Sequence, residues 1–228
     1  MIRLHITAEG QTEQRFVHEV LQLQLAAFEV YADVRCVITS TDKRAGKEHR
    51  GGMTTYVRAR DDILDWMKED PAPECRFTTM FDLYRLPRDF PGYEEAMKKT
   101  DPYQRVSDLE QALAKDIGNR RLVPYIQLHE FETLILSDPQ KLDWEYLEHE
   151  KPIKNLIAMV ERGGNPELIN GGDETAPSKR IIKEIPEHEG NKISGASVVA
   201  RIGLPLLREK CKHFHEWVSR LERLGAMS

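Results

Sequence analysis

The sequence predicts an α/β fold in which a mostly parallel sheet is flanked by helices and followed by a C-terminal helical extension. Three observations predict it. Through Leu128 the hydrophobic pattern runs strand, helix, strand, helix, strand, helix, strand. Gly and Pro punctuate the joints between these segments. Beyond Ser137 the pattern is mainly helical. The chain therefore divides into an α/β core at residues 1–137 and a helical extension at 138–228 packed on that core. With 228 residues and 40% hydrophobic content, it is long enough for one good-sized core.

Ile2, Leu4 and Ile6 alternate, so Ile2–Ala8 predicts a strand that Glu9-Gly10 ends. Thr12 can cap a helix running to about Phe28, with Phe16, Val17, Val20, Leu21 and Leu25 at helical spacing. Ala32–Ser40 predicts a second strand. Thr41–Met53 is polar, basic and glycine-bearing, and predicts a mobile loop. Tyr56, Val57, Ile63, Leu64 and Met67 line one side of a helix over Thr54–Glu69. Pro71 and Pro73 precede a third strand, Cys75–Phe81, with Asp82 at its C-terminal end. Leu83–Asp101 predicts a long loop. Arg105–Ile117 is amphipathic and stops at Gly118. Leu122–Leu128 predicts the fourth strand, with His129-Glu130-Phe131-Glu132 directly after it. Short helices are predicted over Pro177–Ile185, Ser197–Ile202, Pro205–Lys212 and Phe214–Leu224, with Phe214 and Trp217 as core residues.

The net charge of −5 argues against coating nucleic acid by charge alone. The charge is uneven. Residues 151–228 carry 13 Lys and Arg against 10 Asp and Glu, whereas residues 1–150 carry 20 against 28. Cys36, Cys75 and Cys211 form no CxxC pair, so they predict reduced thiols in a cytoplasmic protein rather than a zinc ribbon. No stretch approaches the ~18 apolar residues of a membrane span, and Met1–Ile6 enters a strand without a signal-peptide core.

Open α/β sheets collect ligands beyond the carboxyl ends of their strands. Three of the four predicted strands place acids there: Glu9, with Glu13 one helical turn later; Asp82; and Glu130 with Glu132. Carboxylates gathered on one edge repel, and hard oxygen ligands suit Mg2+ or Mn2+. These five are the candidate metal ligands. Glu9, Glu13 and Asp82 are also candidates for the catalytic machinery. No GxGxxG or GxxxxGK[ST] run supports a nucleotide site of those kinds. His129 can act as a general base or contact phosphate, or serve as a structural hydrogen-bond partner. Lys179 can stabilise charge developing on phosphate, and Arg180 can contact it. Lys43 and Arg44 can track a nucleic-acid backbone without reading its sequence.

Glu9-Gly10-Gln11-Thr12-Glu13 after an N-terminal strand resembles the EGxTE signature of TOPRIM domains, found in topoisomerases, primases and OLD-family nucleases. In that fold a later strand ends in DxD. Here the stretch is Asp82-Leu83-Tyr84, so Tyr84 replaces the second acid and Glu130 or Glu132 is left to supply it. Four runs together resemble a bacterial family catalogued as domain of unknown function 4276. They are EGQTE at residue 9, TTMFDLYRLP at residue 78, PYIQLHEFE at residue 124 and ETAPSKR at residue 174. The resemblance covers nearly the whole chain. It implies a TOPRIM-like core and association with antiphage defence loci, often beside an ABC-type or SMC-like ATPase. By the same resemblance, Lys179 corresponds to a lysine that OLD-type nucleases use beyond the DxD motif.

Two functions fit these residues. One is a divalent-metal-dependent nuclease on DNA or RNA, serving as an effector in defence. The other is a non-catalytic binding or scaffold subunit of an ATPase complex. Retention of five carboxylates favours the first, and the missing DxD acid favours the second.

Overall fold

The computed structural model describes the chain except residues 43–46, 51–52, 170–171, 173–174 and 228; at 38–42, 47–50 and 227 it describes the backbone alone. The first strand, β1 (Ile2–Ala8), lies between two others. Helix α1 (Gln11–Phe16), a π-helical turn (Val17–Leu21) and α2 (Gln22–Ala26) carry the chain to β2 (Val30–Cys36). Gly10, not Thr12, occupies the cap position of α1, because the carboxylate of Glu13 reaches back to the Gly10 N–H.

The predicted second strand divides at Val37. Its first part pairs with β1 in parallel, while β3 (Ile38–Asp42) leaves the sheet and pairs antiparallel with β4 (Lys47–Arg50). The expectation of a loop over Thr41–Met53 is therefore corrected: part of it is hairpin. Strand pairing overrode a polar composition with little hydrophobic signal. Lys43 and Arg44 lie outside the described residues.

Helix α3 (Tyr56–Glu69) leads to β5 (Cys75–Asp82), which pairs with β1 in parallel. The predicted 83–101 loop contains a 3₁₀ turn (Leu83–Arg85) and the short helix α4 (Tyr93–Met97). Helix α5 (Pro102–Ile117) starts on an Asp101 side chain that accepts from the Tyr103 N–H, and ends on Gly118 at φ 63°. The predicted fourth strand is two fragments, β6 (Leu122–Val123) and β7 (Ile126–Gln127), both parallel to β5. Pro124 has no N–H to give to a ladder, and the break falls there. The main path of the sheet is β2-β1-β5-β6, with β7 also on β5. All of these pairs are parallel, as the alternating pattern predicts.

Alternate residues of the central strands feed two cores. Leu4, Ile6, Ala8 and Met80 face one, with Phe16, Leu21 and Leu25. Cys75, Phe77 and Phe81 face the other, with Ile63, Trp66, Leu109 and Leu113 from α3 and α5. The later helices are α6 (Glu132–Ile135), α7 (Glu150–Gly163), α8 (Pro177–Glu184), α9 (Ser194–Ile202), α10 (Leu204–Lys210) and α11 (Lys212–Arg223). They do not form a core of their own. Val198, Val199, Phe214, Trp217 and Leu221 join the first core beside Phe16. Among the described residues, no helix is long and apolar enough to cross a membrane.

Polar contacts bolt α11 to the sheet. Trp217 Nε1 donates to Thr78 Oγ1 at 2.9 Å, and its ring stacks on Tyr125 at 4.1 Å. Glu110 Oε1 accepts from the Ile126 N–H and lies 2.9 Å from His213 Nε2. The fully buried Glu167 accepts from the N–H groups of His213 and Phe214 at the start of α11, and from the Tyr103 hydroxyl. A carboxylate at a helix N-terminus also meets the positive end of the helix dipole. Replacing Glu167 with Ala takes the acceptor from three donors, the buried Phe214 N–H and two part-buried ones, and each buried group left unsatisfied costs ~1–3 kcal/mol. We expect the E167A variant to lose ~2–4 kcal/mol of unfolding free energy in urea. A loss under ~1 kcal/mol would mean that this capping does not hold α11 in place.

Candidate functional site

Parallel pairing aligns the carboxyl ends of β1, β5 and β7, and acids stand at or just beyond all three. The register sets Ala8 against Met80 and Asp82 against Gln127. Glu9, Asp82 and Glu130 therefore emerge at one edge. Glu13 enters from α1 and Glu132 from the first turn of α6. All five are buried, each at most 9% exposed.

Backbone donors hold three of them. Glu9 Oε2 accepts from the Asp82 N–H at 3.0 Å, and the Glu9 carboxylate also accepts from the Met53 N–H. Glu13 Oε2 accepts from the Gly10 N–H at 2.9 Å. A Cβ at position 10 would stand 3.2 Å from that oxygen, so glycine allows the close approach. Glu130 accepts from both the N–H and the hydroxyl of Ser178, the second residue of α8. Asp82 differs: its Oδ1 is buried with no hydrogen-bond partner among the described residues.

Burial and mutual repulsion push Glu9, Glu13, Asp82 and Glu130 upward. Burial raises Glu9, against the N–H of Asp82 and the charge of Arg85, with Glu130 adding to the rise. Burial, reinforced by the charges of Glu9 and Glu132, pushes Glu13 up to about 8. Asp82 goes well above the carboxylate range, through burial and then the charges of Glu13, Glu9, Glu132 and Glu130. Burial and the charge of Glu132 raise Glu130, and Lys192 opposes them. Five negative charges cannot coexist in so small a buried volume, so the cluster takes up protons or cations.

The donor set fits a hard divalent cation: carboxylate oxygens, one of them unpartnered at Asp82. The oxygens are gathered rather than drawn to a point. Among the described residues, the one trio of potential ligand atoms within 4.8 Å of one another is His5, Asp70 and Cys75. That trio lies near the amino ends of β1 and β5 and is already satisfied by a cation. Arg3 donates to both Asp70 oxygens, at 3.0 and 2.8 Å, and holds that carboxyl well below its usual range.

The other predicted residues are spread around this edge. His129 is buried at φ 65°, a conformation few non-glycine residues adopt, and its ring donates to the Glu167 carbonyl. Burial lowers it to about 4, with the Arg105 charge adding to the fall, so it is neutral at pH 7. Lys179 is exposed, one residue beyond Ser178. Arg180 turns towards α7, donating to the Thr175 carbonyl at 2.7 Å and to Met159 Sδ at 3.4 Å. Tyr84, at the position of the missing DxD acid, is half-buried and donates its N–H to the His129 carbonyl.

The sequence reading missed Ser178, Arg85 and Lys192. Ser178 sits inside a run already singled out, directly after a proline, where a helix start with free N–H groups could have been read. Arg85 also lies in one of those runs, TTMFDLYRLP, whereas Lys192 carries no local signal.

The four runs that carry the family resemblance thus meet in space: EGQTE and Asp82 directly, Glu130 through its bonds to Ser178 of the fourth run. The family model matches residues 8–222. The chain belongs to the family described as domain of unknown function (DUF4276). Neither a curated protein nor a solved structure matches this DUF4276 chain.

The raised carboxyls give a pH dependence of defined sign. Glu13 has an ordinary value of 4.5 and a folded value of about 8. Between these values the folded state binds more protons than the unfolded chain, so stability falls as pH rises. His129 acts in the opposite sense below its ordinary value of 6.5, while His213, held above 6.5 by Glu110, adds to the fall above it, so the share of Glu13 is read from the difference between wild type and E13Q. Metal-free protein should lose ~2–6 °C in Tm from pH 6.5 to 8, and E13Q should lose less. An equal fall in E13Q would contradict the assignment.

Proposed function

We propose that this DUF4276 protein is a divalent-metal-dependent nuclease that hydrolyses phosphodiester bonds in DNA or RNA. One observation carries the reading: five buried carboxylates from separate segments meet at the carboxyl edge of a parallel sheet, with an unpartnered Asp82 oxygen among them. A cluster built only to cap helices and turns would have no need of that orphan oxygen. Bound Mg2+ or Mn2+ would supply Lewis-acid activation of a phosphoryl oxygen and of a water molecule.

Glu9, Glu13, Asp82, Glu130 and Glu132 would hold the cations. The Asp82, Met53, Gly10 and Ser178 N–H groups orient three of these carboxylates before any ion arrives. Arg85 and Lys192 bring positive charge close to Glu9 and Glu130, and Lys179 is open to solvent beside Ser178. These cations are suited to meet a phosphate backbone without reading its sequence. The TOPRIM-like order of EGxTE before a strand-end Asp supports the same chemistry. Defence-locus membership, with an ABC-type or SMC-like ATPase as activating partner, belongs to this proposal.

A second reading keeps the edge as a non-catalytic binding or scaffold module. The spacing of the carboxylates favours it, since no three of their oxygens close to within 4.8 Å among the described residues.

The two separate on one assay. Purified protein is incubated with labelled single-stranded DNA, duplex DNA and RNA in Mn2+, Mg2+ or EDTA, with and without an ABC-type or SMC-like ATPase. The nuclease reading expects metal-dependent cleavage, with E9Q and D82N lowering it at least ~100-fold while nucleic-acid affinity changes little. Binding without turnover in every condition would favour the scaffold.

A further inference from the structure

His188 lies in the 3₁₀ turn Pro186–Gly190 between α8 and α9, and its side chain is wholly buried. No feature of the sequence marks it. Its Nδ1 is 2.8 Å from the Tyr146 hydroxyl, which is 3.3 Å from Ser194 Oγ. Ser194 Oγ in turn donates to the Asn191 carbonyl at 2.8 Å. A carbonyl only accepts, so the Ser194 proton is committed to it. One proton arrangement consistent with these contacts has Tyr146 donating to Ser194 Oγ and its oxygen accepting from Nδ1–H, with the Asn191 side chain bonded to the same hydroxyl. In that arrangement a neutral ring carries its lone pair on Nε2.

That lone pair faces the carboxylate edge. Nε2 makes no hydrogen bond among the described residues and stands 3.8 Å from Glu132 Oε1. An N–H there would close on the carboxylate to ~2.7–2.9 Å as a charge-assisted bond. The observed gap is longer than such a bond. It also falls within the ~4.2 Å that two ligands, each ~2.1 Å from one ion, can span.

We propose that His188 Nε2 is a nitrogen ligand beside Glu132, and that it makes this edge a mixed nitrogen and oxygen site selective for Mn2+ over Mg2+. Imidazole suits transition-metal ions, whereas Mg2+ takes oxygen. Tyr146 and Ser194 fix the tautomer and the ring orientation, as outer partners of metal-bound histidines do. The inference rests on the reading that the carboxylate cluster binds a cation.

The test is pulsed electron paramagnetic resonance on the full chain titrated with Mn2+. The result expected is bound Mn2+ with the modulation of a directly coordinated ¹⁴N. H188Q should lose that modulation, and Mn2+ should bind at least ~10-fold more tightly than Mg2+ to wild type only. Because a buried histidine can be needed for folding, Y146F is the second variant. It keeps the ring packing but removes the acceptor for Nδ1–H, so the ¹⁴N quadrupole coupling should shift and Mn2+ affinity should fall ~10-fold. Bound Mn2+ without nitrogen modulation overturns the role of His188 alone. Modulation unchanged in H188Q or Y146F does the same. No bound Mn2+ at millimolar concentration overturns the cation reading as well.

Discussion

Electrostatic repulsion among five buried carboxylates is the constraint to which the rest of this structure answers. Each acid raises the proton affinity of others, and Asp82 feels all four of its neighbours. A fold that merely tolerated such groups would turn them to water. Here N–H groups hold Glu9, Glu13 and Glu130 inward, while one oxygen of Asp82 has no partner. Hydrogen bonds to a carboxylate orient it and offset part of its desolvation, but they leave its charge in place. The remaining charge is what a cation would balance.

The two hydrophobic cores supply the rigidity this arrangement needs. Parallel β1 and β5 fix Glu9 beside Asp82 through register, and buried residues on both faces hold the strands. The later helices are part of the same device. Helix α8 brings Ser178 to Glu130. Gly195 of α9 lies close against Ile135 and Phe131, where a Cβ would meet Ile135 Cδ1 at 3.2 Å. The packing around Glu132 therefore depends on residues far away in sequence. A carboxylate edge built by β1 and β5 alone would lack both the donor to Glu130 and the surroundings of Glu132.

The parallel sheet was legible because β1 and β5 are half-patterned, half-apolar runs bounded by clear breakers. The acids were legible because each stands at a strand end or one helical turn beyond it. What was hidden is instructive. The β3–β4 hairpin has too few apolar residues to announce itself. The divided fourth strand turns on Pro124, whose effect on pairing outweighed a continuous apolar run. Ser178 was overlooked for the charges next to it, although its backbone and hydroxyl bond Glu130 while Arg180 turns to α7. His188 gave no signal at all, since its meaning comes from Tyr146, Ser194 and Glu132, contacts made only on folding.

The central claim is that the carboxylate edge binds a divalent cation. Diffraction from crystals soaked in Mn2+, collected at the manganese edge, tests it most directly. The account predicts an anomalous peak bounded by Glu9, Glu13, Asp82, Glu130 and Glu132, with Asp82 Oδ1 among its ligands. No peak at millimolar Mn2+, with the Gly10, Asp82 and Ser178 N–H bonds unchanged, would contradict it.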